Sequence, residues 1–356
     1  MTITNKKIIV SVSNDLITDS RVKKVCDYLK CKYDVELIGV KSSFNKKFSR
    51  NYKVTLINCF FKRSFLFYAE FNIKLFLILL FKKSHFLLSN DLDTLLPNYM
   101  VSLLRNKKIF YDSHECFTET PELYNRFFVK KIWLIIERLI LPNLKNTYTV
   151  SDSIANFYSE KYNIKMKTVR NCASLYNLQE GKKDFKNIIY QGNINIGRGI
   201  ELVIKSLKFI PEFKLTIVGG GRELDKLKKI AFSEGVYQRI NFKGRLPHDE
   251  LKQYTKKAII GLLMEEPLGL SFKYSLPNKL FDYIHAEIPV LASPLLEVKR
   301  IIDKYPVGDL LENRDPENIA KQILEIYSRL DVYNFKQAKK DLNWAQEEKV
   351  LNQIFS

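Results

Sequence analysis

Cysteine is scarce and follows no pattern. The five residues, Cys26, Cys31, Cys59, Cys116 and Cys172, are odd in number and include no C-x-x-C pair. That argues against a disulfide framework or a structural zinc site and for reduced thiols in a cytoplasmic protein. Long apolar runs are missing as well. The most lipid-like stretch, residues 65–81, is interrupted by Glu70, Asn72 and Lys74, and its unbroken part, 75–81, is far short of the roughly 20 residues that span a bilayer. It does not cross a membrane and reads as a buried crossover helix, with a dip of residues 65–83 into the membrane interface as the alternative. Residues 1–10 pass from two lysines into a short apolar strand with no h-region or cleavage site, which predicts no signal peptide. Internal repeats and low-complexity segments are also lacking, and a 46% apolar fraction excludes a disordered chain.

Negative charge is in short supply. Across 356 residues there are 58 Lys and Arg against 39 Asp and Glu, a net charge of +19. Residues 1–172 hold 29 basic and 15 acidic side chains, or +14, and the remainder only +5. An anionic partner is therefore expected at the first half, although a compositional bias toward Lys accounts for the excess equally well.

What is present is alternation. Short β-branched runs at 7–12, 35–40, 85–88, 108–111 and 147–150 are separated by helical periodicity, such as 20–29 with Val22, Val25, Cys26 and Leu29 on one side. This pattern predicts a parallel sheet with crossover helices. Periodicity lapses over 171–186, and a second series begins with a strand at 187–190 and continues through strands at 213–218, 239–242, 258–263 and 289–292. The expected organisation is an N-terminal domain over 1–172 and a C-terminal domain over 173–334, with the helical tail 335–356 packing back on the first. The fold class is α/β, two doubly wound Rossmann-like domains facing a cleft, and open α/β sheets bind ligands at the C-terminal ends of their strands.

Three segments carry chemistry. Gln191-Gly192-Asn193 ends a strand and Ile196-Gly197-Arg198-Gly199 opens a helix, offering free N–H groups and a guanidinium to an anion such as a diphosphate. Gly219-Gly220-Gly221 is a second close-approach turn, which tight βα connections need with or without a ligand. In Tyr274 to Tyr283, Ser275 is placed to cap a helix with Pro277 at its first position, and Asp282 is expected in the first turn, suited to the two hydroxyls of a ribose. In the first half, Asp112-Ser113-His114-Glu115 ends a strand, where His114 and Glu115 are candidates to orient hydroxyls or shuttle protons. Asp19 reads as a helix cap. Asp91 and Asp93 form a D-x-D that reads as a helix start and not as a metal pair.

Together these segments resemble the retaining glycosyltransferases of the family-four type, which have the glycosyltransferase B fold. The resemblance covers nearly the whole chain. It rests on Ser13-Asn14-Asp15 with Thr18-Asp19-Ser20-Arg21, Asn90 to Leu95, Tyr111 to Glu115, Gly192 through Gly199, Val218 to Gly221, and Ser275 through Tyr283 followed by Ile288-Pro289-Val290. It implies a nucleoside-diphosphate sugar on the second domain, with Arg198 at the diphosphate, Asp282 at the ribose, and Gly192, Asn193, Gly197, Gly219, Gly220, Ser275 and Asn278 lining the donor site. The family often has Arg where Asn193 stands, so Lys279 or Arg245 is expected to assist Arg198. The family's first Glu, separated by seven intervening residues from the ribose carboxylate, corresponds to Tyr274, while Glu266 lies further upstream. Either Glu266 moves into place or backbone amides near Ser275 bind the sugar. His114 matches a histidine near the transferred sugar, and Asp19, Arg21, Asp91 and Asp93 lie on the acceptor side.

The resemblance further implies retention at the anomeric carbon, no metal and no cofactor beyond the donor. The implied acceptor is a saccharide or lipid-linked hydroxyl, in cell-surface polysaccharide or glycolipid synthesis. An anionic membrane surface is an expected partner, through Lys46, Lys47, Lys62, Arg63, Lys82 and Lys83, placing the protein in the cytoplasm and peripherally on the inner membrane face. A sugar-nucleotide epimerase of the same architecture and a non-catalytic basic binding protein are the alternatives. No Lys/Arg stripe interleaved with aromatics points to nucleic acid.

Overall fold

The structure is a computed structural model that describes residues 6–14, 16, 19–41, 50–62, 64–175 and 183–356. Asp15, Thr18, Lys46, Lys47 and Arg63, singled out from the sequence, lie outside the described residues. The chain forms two units, Met1–Val169 with Val350–Ser356, and Arg170–Lys349.

In the first unit, β1 (Lys7–Ser11), α1 (Ser20–Leu29), β2 (Asp34–Val40), β3 (Lys53–Ile57), α2 (Ser64–Phe81), β4 (Phe86–Asn90), α3 (Leu92–Leu104), β5 (Lys108–Ser113), α4 (Phe127–Ile140), β6 (Thr147–Thr149), α5 (Asp152–Tyr162) and β7 (Met166–Thr168) follow in order. The sheet runs β3-β2-β1-β4-β5-β6-β7 with every pairing parallel. Its central strands are covered on both faces, so Ile8, Ile9, Val10, Leu87 and Leu88 are all buried, which is why these strands read as apolar runs without alternation. Strand order reverses between β1 and β4, and the crevice there is where such a sheet receives a ligand.

The second unit repeats the plan with β8 (Asn187–Gln191), α6 (Ile200–Ser206), β9 (Lys214–Val218), α7 (Leu224–Ser233), β10 (Ile240–Gly244), α8 (His248–Lys257), β11 (Ile260–Leu263), α9 (Gly269–Lys273), α10 (Asn278–Ala286), β12 (Val290–Ala292), α11 (Leu296–Lys304), β13 (Gly308–Leu310), α12 (Pro316–Ser328), α13 (Lys336–Asp341) and α14 (Trp344–Ile354). Its parallel sheet runs β10-β9-β8-β11-β12-β13 and reverses between β8 and β11. One core gathers Val203, Ile204, Leu227 and Ile323 from α6, α7 and α12, and another gathers Leu280, Ile284, Val298 and Ala338 from α10, α11 and α13. The sheet is thereby sandwiched.

The tail differs from the sequence expectation. Phe335, Ala338 and Leu342 join the second unit's core, and only Val350–Ser356 return to the first unit. There the Phe355 ring stacks on Phe110 at 4.3 Å and Tyr33 donates its hydroxyl to the Phe355 carbonyl at 2.6 Å. Strands β3, β7 and β13 were not legible, because β3 lies at a half-exposed edge and the other two have three residues each. None of the five cysteines forms a disulfide.

The turns at the second switch point interlock. Gly219, at φ +151°, lies so close to its neighbour that a Cβ would stand 1.8 Å from the Gly192 carbonyl oxygen, and a Cβ on Gly221 would stand 2.0 Å from that of Ile194. The triple glycine therefore has a structural cause. Gly219→Ala is expected to lower the thermal unfolding midpoint of the second unit severely. Gly235→Ala, at φ +70° with nothing within 4 Å, should cost only about 1 kcal/mol. Equal midpoints for the two variants would contradict the interlock.

Candidate active site

Each sheet collects polar side chains where its strand order reverses. In the first unit β5 ends in Asp112, whose buried carboxylate receives Arg21 from α1 through Nε at 2.9 Å and Nη2 at 2.6 Å. Arg21 Nη1 also donates to the Val169 carbonyl at 2.7 Å. This is a two-pronged, charge-assisted pair. It leaves Arg21 3% exposed, so Arg21 braces Asp112 and does not meet an acceptor, contrary to the sequence expectation.

Asp112 in turn stands 3.4 Å from His114 Nε2 on one side of the ring, while Asp91 Oδ2 stands 3.1 Å from Nδ1 on the other. Asp91 Oδ1 accepts the His114 backbone N–H at 2.7 Å. Burial works against a charged imidazole, but the two carboxylates outweigh it and raise the His114 pKa well above its usual value. The two carboxylates thus favour the charged form of the ring. Asp91 adopts φ +58° and makes no side-chain cap bond to α3. A non-glycine residue in that region stores strain of order 1–3 kcal/mol, which its hold on His114 offsets. Its carboxylate is thus committed to His114 and not to the helix start.

Asp93, in the first turn of α3, is buried and accepts the Ser13 hydroxyl on Oδ2, while Oδ1 has no hydrogen-bond partner. Burial first, and the neighbouring Asp91 charge second, push its pKa up to about 7. Asp19 caps α1, accepting the Val22 N–H at 3.0 Å. At Glu115 the carbonyl accepts the Ser113 and Tyr158 hydroxyls.

In the second unit the arrangement centres on a residue the sequence reading passed over. Glu265, two residues beyond β11, is 1% exposed and pairs through Oε1 with Lys279 Nζ at 2.6 Å and Arg198 Nη1 at 3.2 Å. Burial raises the Glu265 pKa, but the two cations overcome it and hold the carboxyl below its usual range. Lys279 Nζ lies 4.1 Å from the centre of the Tyr190 ring and the Arg198 guanidinium 4.9 Å from that of Phe272. One carboxylate and two rings thus converge two cations beside the Gly192 turn. The adjacent Glu266 pairs instead with Arg314 at 3.2 Å, and its N–H donates to the Gly197 carbonyl at 2.8 Å.

Asp282 is the fifth residue of α10, not in its first turn, and accepts Gln191 Nε2 at 2.7 Å. Gln191 is fixed in turn by the Thr255 hydroxyl on its Oε1 at 2.7 Å, so the carboxamide can point only its NH2 at Asp282. Ser275 donates to the Phe272 carbonyl and does not cap the helix, whose N-cap is Pro277. Arg245 lies against Gly220, where a Cβ would stand 3.1 Å from its Nε. Asn193 and Asn278 are exposed. Among the described residues no three His, Cys, Asp or Glu side chains group as metal ligands.

Residues 177–339 match the family described as glycosyl transferases group 1. That match lies within the second unit and covers less than half of the chain. The uncharacterized glycosyltransferase MJ1607 of Methanocaldococcus jannaschii is 27% identical over 166 residues, 45% of this chain and 40% of that one. The O-antigen biosynthesis glycosyltransferase WbnH of Escherichia coli is 25% identical over 289 residues, 74% of this chain and 80% of that one. Among solved structures, Anabaena HepE in complex with UDP-glucose aligns with a TM-score of 0.71 at 10% identity, over 98% of this chain and 99% of that one. The two parallel sheets and their helices make the glycosyltransferase B fold.

The raised pKa of Asp93 has a measurable sign. The folded chain keeps this proton up to about pH 7, whereas an unfolded aspartate releases it near 4. The stabilising contribution is therefore complete below about pH 4 and is lost as pH rises toward 7. Asp93→Asn should accordingly gain in unfolding midpoint relative to the wild type between pH 5 and pH 8. A difference that does not change with pH in thermal melts would rule out the buried proton.

Proposed function

We propose that this protein is a retaining, metal-independent glycosyltransferase that moves a sugar from a nucleoside-diphosphate sugar to a hydroxyl of a saccharide or lipid-linked acceptor, in cell-surface polysaccharide synthesis. The observation that carries it is the pair of cations on Glu265. Two positive groups on one buried carboxylate leave a net charge of +1 beside the Gly192 turn, a fit for a diphosphate. The family match within the second unit, an O-antigen relative and a structural neighbour bound to UDP-glucose support the same reading.

In this reading Arg198 and Lys279 hold the diphosphate and stabilise the negative charge that grows on it as the bond to the sugar breaks. Because Glu265 fixes both before the reaction, little reorganisation accompanies the step. Asp282, turned by Gln191, accepts the ribose hydroxyls, and Arg245 beside Gly220 lies at the same strand ends. His114 remains the first unit's candidate on the side of the transferred sugar, with Asp91 at one ring nitrogen and Asp112 at the other favouring its charged form. The acceptor hydroxyl bonds to the anomeric carbon as its bond to the diphosphate breaks, and the departing diphosphate oxygen takes up the acceptor's proton. Glu115, Asp19 and Asp93 are assigned to the acceptor side as residues bordering these strand ends. The protein works in the cytoplasm, peripheral to a membrane.

A thermal-shift screen over nucleoside diphosphates and their sugars, starting with UDP and UDP-glucose, tests the donor site, since a ligand of the folded state raises the midpoint by mass action. Stabilisation by none of them removes the reading. With a donor in hand, Arg198→Ala is expected to slow transfer at least about a hundredfold, because one preorganised charge contact to a developing anion contributes about 3 kcal/mol. Near-normal turnover would take Arg198 out of the mechanism. Turnover should be unchanged by EDTA; loss of activity restored by magnesium or manganese would overturn the metal-independent reading. Release of an isomerised nucleotide sugar without transfer would favour an epimerase instead.

A further inference from the structure

Helix α2 departs from the way helices of soluble domains are patterned. Its 18 residues have a mean hydropathy of 1.7 and carry apolar side chains on opposite sides, broken mainly by Asn72 and the Glu70–Lys74 pair. Only Phe71, Leu75 and Leu79 are buried, against Ile9, Ile57 and Leu87 of the core. At about 100° per residue those three form one row, and Leu66, Ile73, Leu77 and Phe81 fall on the row diametrically opposite. All four are exposed, Ile73 by 62% and Phe81 by 80%. The sequence expectation of a buried crossover helix therefore fails on its outward half.

Helix α4 repeats the arrangement. Trp133, Glu137 and Ile140 are buried, while Phe128, Ile132, Ile135 and Leu139 make an outward row, with Phe128 80% and Leu139 66% exposed. The crossovers from β3 to β4, β4 to β5 and β5 to β6 all run in one direction across the sheet, so their right-handedness sets α2, α3 and α4 on one face. Tyr68 of α2 meets Trp133 of α4 edge to face at 5.5 Å. The two outward rows thus belong to one surface.

The charges of this surface have one sign. No carboxylate on the three helices is exposed: Glu70 accepts the N–H groups of Phe60 and Phe61 and pairs with Lys74, and Asp93 and Glu137 are buried. Lys83, Arg126, Lys131 and Arg138 border it, exposed. Lys82, a candidate from the sequence, is turned instead to Glu36.

We propose that this face docks on an anionic lipid bilayer, with the outward rows of α2 and α4 lying in the boundary between headgroups and acyl chains. A bilayer of this kind supplies both an apolar layer for the rows and negative charge for the rim. A second copy of the chain would bring like charges together. Helix α2 does not span, because its row through Leu75 is committed to the core. The proposal stands on α2 and α4 and deepens the transfer reading by putting the acceptor at a membrane.

The test is flotation of the full chain with vesicles of phosphatidylcholine alone or enriched in phosphatidylglycerol, at low and high salt. The chain should float with the anionic vesicles and much less with the neutral ones. Salt should weaken but not abolish binding, since apolar burial is not screened. Paired substitution Ile73→Ser with Leu77→Ser, and separately Ile135→Ser with Leu139→Ser, should each lower the partition coefficient about tenfold or more at an unchanged unfolding midpoint. Flotation with neither vesicle, or serine variants that bind like the wild type, overturns the proposal. So does a dimer in light scattering that the serine variants split, which would assign the face to a second copy. Nucleotide thermal shifts on the same preparations separate the two readings: a chain stabilised by UDP that ignores vesicles loses the docking alone, and one that floats but ignores every nucleotide keeps the docking and loses the transfer reading.

Discussion

The second unit's site depends on one buried anion. Lys279 and Arg198 reach the same point from different elements, α10 and the turn before α6, and without a counter-charge two cations a few ångströms apart in a poorly solvated place would repel by several kcal/mol. Glu265 converts that repulsion into a fixed arrangement, at the cost of its own desolvation. The exchange is favourable only while all three charges are present. Removal of one partner from a buried ionic group leaves an uncompensated charge and costs about 3–5 kcal/mol. The interlocked Gly192 and Gly219 turns hold the backbone of this region to the same tolerance, since any side chain at Gly219 would collide with a carbonyl. Charge placement and backbone placement are thus set together.

The first unit solves a related problem with opposite signs. Three carboxylates, Asp91, Asp93 and Asp112, gather at the strand ends, and each is balanced differently. Asp112 pairs with Arg21, Asp91 pairs with His114, and Asp93 holds its proton up to about pH 7 because it is buried beside the Asp91 charge. The strained backbone of Asp91 follows from this order, since only that conformation brings its two oxygens to the ring and the N–H of one histidine. His114 is therefore held from both sides by carboxylates that favour its charged form.

The fold was legible because it rests on alternation of apolar strands and helical stripes, which composition alone displays. The site was legible only in part. Gly192, Arg198, Lys279 and Asp282 lie in local motifs whose spacing shows, and the structure brings Arg198 and Lys279 together. Glu265 was passed over in favour of Glu266 because the two are adjacent and only burial tells them apart: one lies under Lys279, the other reaches Arg314. Gln191 and Asp112 were invisible as orienting groups, since Gln191 meets Asp282, and Asp112 meets Arg21, each across 91 residues, while His114 follows Asp112 in a loop whose course no periodicity fixes. The Gly219 run was seen as a turn, but its reason, a carbonyl from another turn, is a tertiary fact.

Helix α2 shows where patterning misleads in the other direction. A helix apolar on opposite sides is expected to be enclosed, and α2 is enclosed on one side only, so sequence and fold disagree unless a further apolar phase is present. Nor does the +14 of the first half measure the charge open to a partner. Arg21, Lys7, Lys82 and Lys161 are engaged with the buried carboxylates of Asp112, Glu36 and Glu137. The open cations that remain near α2 and α4 are fewer, but no exposed carboxylate on those helices opposes them. What distinguishes this surface is therefore the coincidence of an unburied apolar row with an uncompensated rim, and either feature alone would be ordinary.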